Sequence, residues 1–384
     1  MASCTKTNKQ GKYIPKDAPL VMHVNMGSLS SKLPWDEIKQ SQFFKDSYSD
    51  TAIPSFVKKL LDNPENSGID IKGELIIFGM KDSSGAYSCI QGDIKDAAKF
   101  SAFTNEAISG GIKSEDGELK YVTKSPIAAG WNKEKFIYII DMPDFKSYDY
   151  ARESKAAPRD INALSKSIFA LKESNSLAKD EKFTELMKKE GDVHFWMNGE
   201  SLYSDMPSMG GMMMPNLTKM YADTRTTATI NFEKGKIVVD AKYYASKELS
   251  KIYKKYEGNG INEDMIKRIP AKDIPVLFAI NYKPEAIKEI IELTGFGEML
   301  NMGMAFVGFS VDDFIKANKG DAVFAITDIK ETVHTYPSFD STTTTTTYTT
   351  SEPDILFATS IADKDAFKLI INGVKKLGQK KRNE

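Results

Sequence analysis

Two cysteines and three histidines in 384 residues leave little material for a disulfide framework or a metal centre. No CxxC and no Cys/His spacing suggests zinc. Neither sign of charge prevails, with 52 basic against 53 acidic side chains, so no long-range field draws nucleic acid or an anionic membrane. No apolar run approaches the roughly 20 residues that span a bilayer. The motifs of common chemistry are missing as well: there is no GxSxG, no Walker loop, no HExxH and no GxGxxG. Ser109-Gly110-Gly111 precedes a polar loop and not a helix. The carboxylate pairs Asp312-Asp313 and Glu115-Asp116 lie in turn-like polar contexts, where solvation is the default, whereas a glycosidase needs two acids facing across a cleft. These absences predict a protein without a catalytic constellation and without a cofactor.

What is present is a repeated strand. Ile14–Asn25 (IPKDAPLVMHVN) returns as Ile269–Asn281 (IPAKDIPVLFAIN), and Asp192–Leu202 (DVHFWMNGESL) is a looser third copy of its tail. Gly320–Asp328 (GDAVFAITD) echoes Gly73–Asp82. Ile355–Ile361 followed by Asp363–Leu369 echoes Ala86–Gln91 followed by Ile94–Phe100. The offsets are 281 − 25 = 256 and 320 − 73 = 247, and the landmarks keep their order. This predicts an internal duplication. With 41% hydrophobic residues the chain can bury real cores.

The expected fold is α+β: two related modules of mainly antiparallel sheet with helices packed on one face. The expected layout is a tether over 1–13, a first repeat over 14–141, a middle α+β segment over 142–267, and a second, incomplete repeat over 268–384. Leu119–Ala129 and Lys135–Asp141 read as one hairpin, and Asp93–Ile108, Asp160–Glu173 and Asp180–Lys189 as helices. The Thr-rich stretch 332–353 falls where the first repeat has a tight turn. It therefore reads as an inserted, exposed loop.

Several residues carry candidate chemistry. Met1-Ala2-Ser3-Cys4 reads like the end of a lipoprotein signal, with Cys4 as the lipidated thiol and Thr5–Lys12 as a hydrophilic tether. The competing reading is an engineered start followed by a chance Cys. Several acyl chains would hold the protein stably, where one would not. Cys89 reads as a small buried hydrophobe, and nothing supports a Cys4–Cys89 disulfide. His23 and His194 occupy neighbouring positions in two copies of one strand. They either line a groove or a metal together, or each is a packed residue satisfied by a backbone group; the second is expected. Met206, Met209, Met212, Met213, Met214 and Met220 form a methionine-rich loop. It suits Cu(I), or an adaptable contact surface, or packing over the hairpin that follows; without a flanking Cys or His, copper is the weakest reading. Ser341 in Asp340-Ser341-Thr342 and Thr51 in Asp50-Thr51-Ala52 match a short O-glycosylation pattern.

Cys4, Ile14-Pro15-Lys16-Asp17-Ala18, Leu20–Asn25 and Gly27-Ser28-Leu29 together resemble a family of Bacteroidota envelope lipoproteins classed as a domain of unknown function. The O-glycosylation pattern is similar to the one used in that envelope. The resemblance implies an outer-membrane lipoprotein and carries over no catalytic residue. Lys6 and Lys9 follow Cys4 with no acid before Asp17, which leaves the periplasmic and surface faces both open. The expected function is a non-enzymatic binding or scaffolding role, with the membrane as partner through Cys4 and an envelope protein or glycan as a second. The alternatives are an envelope hydrolase acting in a groove between repeats and, more weakly, copper binding by the methionine loop.

Overall fold

The computed structural model describes residues 9–49, 53–82, 84–142, 159–204, 216–270, 274–337 and 345–380. The chain divides into two units. One is Met1–Met209 with Tyr221–Ala245, the other Gly210–Met220 with Ser246–Glu384. No helix among the described residues is long and apolar enough to cross a membrane.

The first unit is organised around β1 (Leu20–Asn25). Its alternation places Val21 and His23 on a buried face and Leu20 and Met22 on a more open one. A strand this apolar needs both edges paired. β2 (Glu74–Asp82) takes one edge and β8 (Val193–Asn198) takes the other, both antiparallel. Beyond β2 come β3 (Gly85–Asp93), then β7 (Lys135–Met142), β6 (Ile127–Trp131), β5 (Leu119–Lys124) and β4 (Ile112–Asp116). Beyond β8 come β9 (Arg225–Glu233) and β10 (Lys236–Tyr244). Among the described residues this is one ten-stranded sheet.

β7 shows how the cores are divided. Ile137 and Ile139 join Val21, Phe78, Cys89 and Trp196 under the helices Ile161–Phe169 and Glu181–Leu186. Phe136, and Tyr138 packed beside it, face Phe100 of the helix Ala97–Ala107. Helices therefore lie against both faces of the sheet along this strand, not one. These helices begin where an aspartate caps them: Asp96, Asp160 and Asp180 each accept hydrogen bonds from first-turn backbone N–H groups. They end earlier than expected, at Phe169 and Leu186 for the latter two.

Two expectations about this unit change. The expected strand Leu119–Ala129 is two strands, because Pro126 has no N–H to give to a ladder and the chain turns at Ser125-Pro126. With β4 added across a turn at Gly117, the expected hairpin is a four-stranded meander. The segment 142–267 does not stand apart either. β8, β9 and β10 extend the first sheet, because β1 has a second edge to satisfy, while the helices Lys247–Lys255 and Glu263–Lys267 belong to the second unit.

The second unit carries, among the described residues, a three-stranded sheet in the order β11 (Val276–Asn281), β12 (Asn318–Pro337), β13 (Thr345–Ile361). Its register matches that of β1, β2 and β3. Asn25 pairs with Glu74 and Asn281 with Asp321, at offsets of 281 − 25 = 256 and 321 − 74 = 247, the values read from the sequence. Ile77 pairs with Ile90 and Phe324 with Phe357, so β3 and β13 differ by 357 − 90 = 267. The helix Lys364–Lys380 is capped by Asp363, the counterpart of Asp96 at the same offset, 363 − 96 = 267. The sequence match had set Asp96 against Asp365. The cap moves it by two residues.

The Thr-rich stretch is not a free loop. Pairs from Thr332↔Thr350 to Pro337↔Thr345 extend the β12–β13 hairpin. Threonine is β-branched, so a two-stranded ribbon suits it even without a core to cover. Only 338–344 lie outside the described residues.

Burial sets the expected response to truncation. Phe78→Ala, at a side chain 1% exposed, should cost about 3–5 kcal/mol in urea unfolding. Phe306→Ala, at a side chain 92% exposed, should stay within about 0.5 kcal/mol.

Candidate functional site

The register that joins β1 to β8 places His23 directly opposite His194, with side chains 3% and 5% exposed. Their Nδ1 atoms are 3.1 Å apart. The surrounding network assigns the protons. His194 Nε2 lies 2.9 Å from the Lys189 carbonyl oxygen, which can only accept, so Nε2 carries hydrogen. The Nδ1 of a neutral His194 then accepts from His23 Nδ1–H. His23 Nε2 is buried without a hydrogen bond and faces Glu74 Oε1 at 3.6 Å, an ion-pair distance. Gln10 Nε2 donates to the same carboxylate oxygen at 2.6 Å. The adjacent His23 holds the Glu74 carboxyl below its ordinary value against the opposing effect of burial, with Gln10 adding to it. Burial pushes the His194 ring down.

A second buried polar group sits where β8 begins. Asp192 accepts from Ser28 Oγ at 2.5 Å, Lys32 Nζ at 2.6 Å and the Phe232 backbone N–H at 2.6 Å. Burial works to raise its carboxyl. The three donors outweigh that and hold it below the usual range. The carboxylate thus pins the helix Met26–Lys32, capped by Asn25, to β8 and β9. In the second unit the matching Asn281 donates to Asp321 at 2.7 Å, and Ser360 Oγ donates to the same acid at 2.8 Å.

This arrangement can hold or pass a proton but has no room for a substrate. The cavity beside Glu74, lined by Gln10, Tyr13, Gln91 and Lys135, is about 50 Å³. That admits a few waters and falls far short of the ~300 Å³ of a small-molecule site. Among the described residues no three His, Cys, Asp or Glu side chains gather to hold a metal. Two larger openings exist. An open cleft of about 580 Å³ in the first unit is lined by charges of both signs, including Asp82, Glu200 and Arg225. Asp82 there is held by Arg159, and Glu200 lies 3.8 Å from Arg225. A groove of about 610 Å³ in the second unit is lined by Tyr253, Tyr256, Ile280, Tyr282, Ile287 and Ile290.

The sheet of the second unit exposes apolar side chains. Its rows Phe278–Phe324–Phe357 and Val276–Ile326–Ile355 share one face. Phe278 is 58% and Phe357 68% exposed.

A family described as Domain of unknown function (DUF4836) matches residues 11–360. The chain belongs to this family. No curated protein matches it. A crystal structure of TP0453 is similar at a TM-score of 0.32 and 10% identity, over 66% of this chain and 82% of that one. A likeness that low carries no argument about this protein.

The residues singled out from sequence fall in different places. Cys4, Thr51, Ser341, Met209, Met212, Met213 and Met214 lie outside the described residues. Cys89 is a free, fully buried thiol, pushed up by burial. Asp313 completes a capping box with Ser310, and Asp312 pairs with Lys288. His334 stacks on Tyr348 and meets Thr350 Oγ1 at 2.8 Å. His194 is satisfied by a backbone carbonyl, as expected, but His23 meets His194 through Nδ1 instead and its Nε2 has no hydrogen-bond partner. Gln10, Glu74 and Asp192 were missed. Glu74 had one available signal: Gly73-Glu74 is similar to Gly320-Asp321, which sits at the matching register position of the second unit.

The lowered His194 makes a signed prediction. The unfolded chain takes up this proton near the ordinary value of 6.5, before the folded one does. The contribution is whole above that pH and is lost as pH falls through the lowered folded value. Urea midpoints should drop from pH 7.5 to pH 5.0 in the native protein, and His194→Gln should shrink that drop.

Proposed function

We propose that this chain is a non-enzymatic, lipid-anchored cell-envelope protein that binds a partner through the apolar sheet face of its second unit. The observation that carries the reading is the pair of aromatic and branched rows centred on Phe278 and Phe357. Burying one such side chain is worth about 1.5–3 kcal/mol. Contiguous apolar patches of this kind mark interaction surfaces. Met302 and Phe306 on the helix Gly297–Val307 add exposed apolar area in the same unit.

The anchor rests on Met1-Ala2-Ser3-Cys4 and on the resemblance to Bacteroidota envelope lipoproteins. The shared register of β1–β2–β3 and β11–β12–β13 supports a copied module as the origin of the second unit. A binding role also fits the first unit, whose buried imidazoles and carboxylates are engaged with one another. The hydrolase reading has less support, because Asp82 and Glu200 in the open cleft each have an arginine beside them.

Mass spectrometry of the native protein should find Cys4 acylated; an unmodified thiol on an intact cytoplasmic chain would remove the anchor. Site-specific photocrosslinking in intact envelopes should yield an adduct that is lost in Phe278→Asp/Phe357→Asp. The adduct should persist in Ile112→Asp, an equally exposed apolar position in the first unit. Adducts that survive the double substitution would remove the binding face.

A further inference from the structure

Building on that reading, we propose that the outer edge of β13, from Ile355 to Ile361, accepts an antiparallel strand from a partner polypeptide that carries large apolar side chains at alternate positions. The first unit shows what such an edge takes. β3, the counterpart of β13 by register, pairs on its outer side with β7: Gly92 with Phe136, Ile90 with Tyr138 and Ser88 with Ile140. Phe136 and Tyr138 bring aromatic rings to the core against which Ile90 packs. The counterpart of Ile90 is Phe357, and among the described residues no strand lies beyond it. Its 68% exposure is the vacancy that a β7-like strand fills.

The edges of the two sheets differ in a second, independent way. β4 closes the first sheet with Lys113, Glu115 and Asp116, and β10 closes it at the other end with Lys236, Asp240 and Lys242. Charge on an edge strand discourages pairing with another chain. Ile355–Ile361 (ILFATSI) has none. Immediately before it come Glu352, Pro353 and Asp354, with Asp354 held by Lys330 at 2.6 Å. Proline and the acids end the receptive window there. A bare window bounded by a charged stop is suited to strand addition, in which backbone hydrogen bonds supply affinity and alternate side chains supply choice. The partner strand therefore carries aromatic or branched residues opposite Ile355, Phe357 and Thr359, as β7 does opposite Ser88, Ile90 and Gly92.

The test uses the full chain and a labelled peptide of β7 sequence (KFIYIIDM) with a solubilising lysine tail. Fluorescence anisotropy should show saturable binding, at least tenfold tighter than for a scrambled peptide without the alternation. Phe357→Lys should weaken it at least tenfold, and Ile112→Lys on β4 should leave it unchanged. Amide hydrogen exchange should place new protection on 355–361. Failure to saturate, equal binding of the scrambled peptide, protection elsewhere or survival of binding in Phe357→Lys overturns the inference. So does self-association of the chain, detected by sedimentation, that Phe357→Lys abolishes, since a second copy would then own the edge. If the peptide fails while the Phe278/Phe357 double variant still loses its envelope adduct, the edge inference falls and the binding face stands. If the adduct also survives that substitution, both fall.

Discussion

A six-residue strand paired on both sides holds the first unit together. β1 meets β2 across fewer than a hundred residues of chain and β8 across far more, and each of those neighbours carries the rest of the sheet outward. The cost of burying such a strand is that any polar side chain on its core face must find a partner there. His23 is that side chain. His194 can accept from His23 Nδ1–H only when its own ring is held in the right tautomer, and the Lys189 carbonyl does this for His194. The polar network is thus a requirement of the sheet, and its chemistry follows from packing. Asp192 does the same for the neighbouring helix, with three donors around one carboxylate.

The second unit pairs three strands in the register of β1, β2 and β3, and among the described residues no further strand flanks them. Its pairing and its aspartate-capped last helix have counterparts in the first. What differs is coverage. The first sheet has a meander on one side and a hairpin on the other, whereas the second is left with a small core of Ile269, Val323 and Ala325. The same local sequence logic therefore yields a packed interior in one unit and an apolar surface in the other.

Much of this was legible in the residues, and unevenly. The repeated strand, its offsets and the α+β class could be read because alternation and order survive in a single sequence. Helix starts were legible where an aspartate marked them, as at Asp160 and Asp180; the ends of those two helices were not, whereas the helix expected to end at Ile108 ends at Ala107. The joining of β8 to β1 was not legible: pairing between strands so far apart leaves no local trace, and the likeness of the two strands was read as copying alone. That is also why Glu74 and Asp192 escaped notice. Each is an unremarkable acid until a distant strand is laid beside it. The threonine tract misled for a different reason, since a ribbon that covers no core lacks the apolar alternation by which strands are recognised.

The order in which the chain is made has a consequence for β1. Its partner β8 comes 193 − 25 = 168 residues later. At about 5–20 residues per second, the nascent strand waits on the order of ten to thirty seconds with one side bare. During that interval Leu20–Val24 is a sticky, half-built template, open to mispairing until its mate emerges.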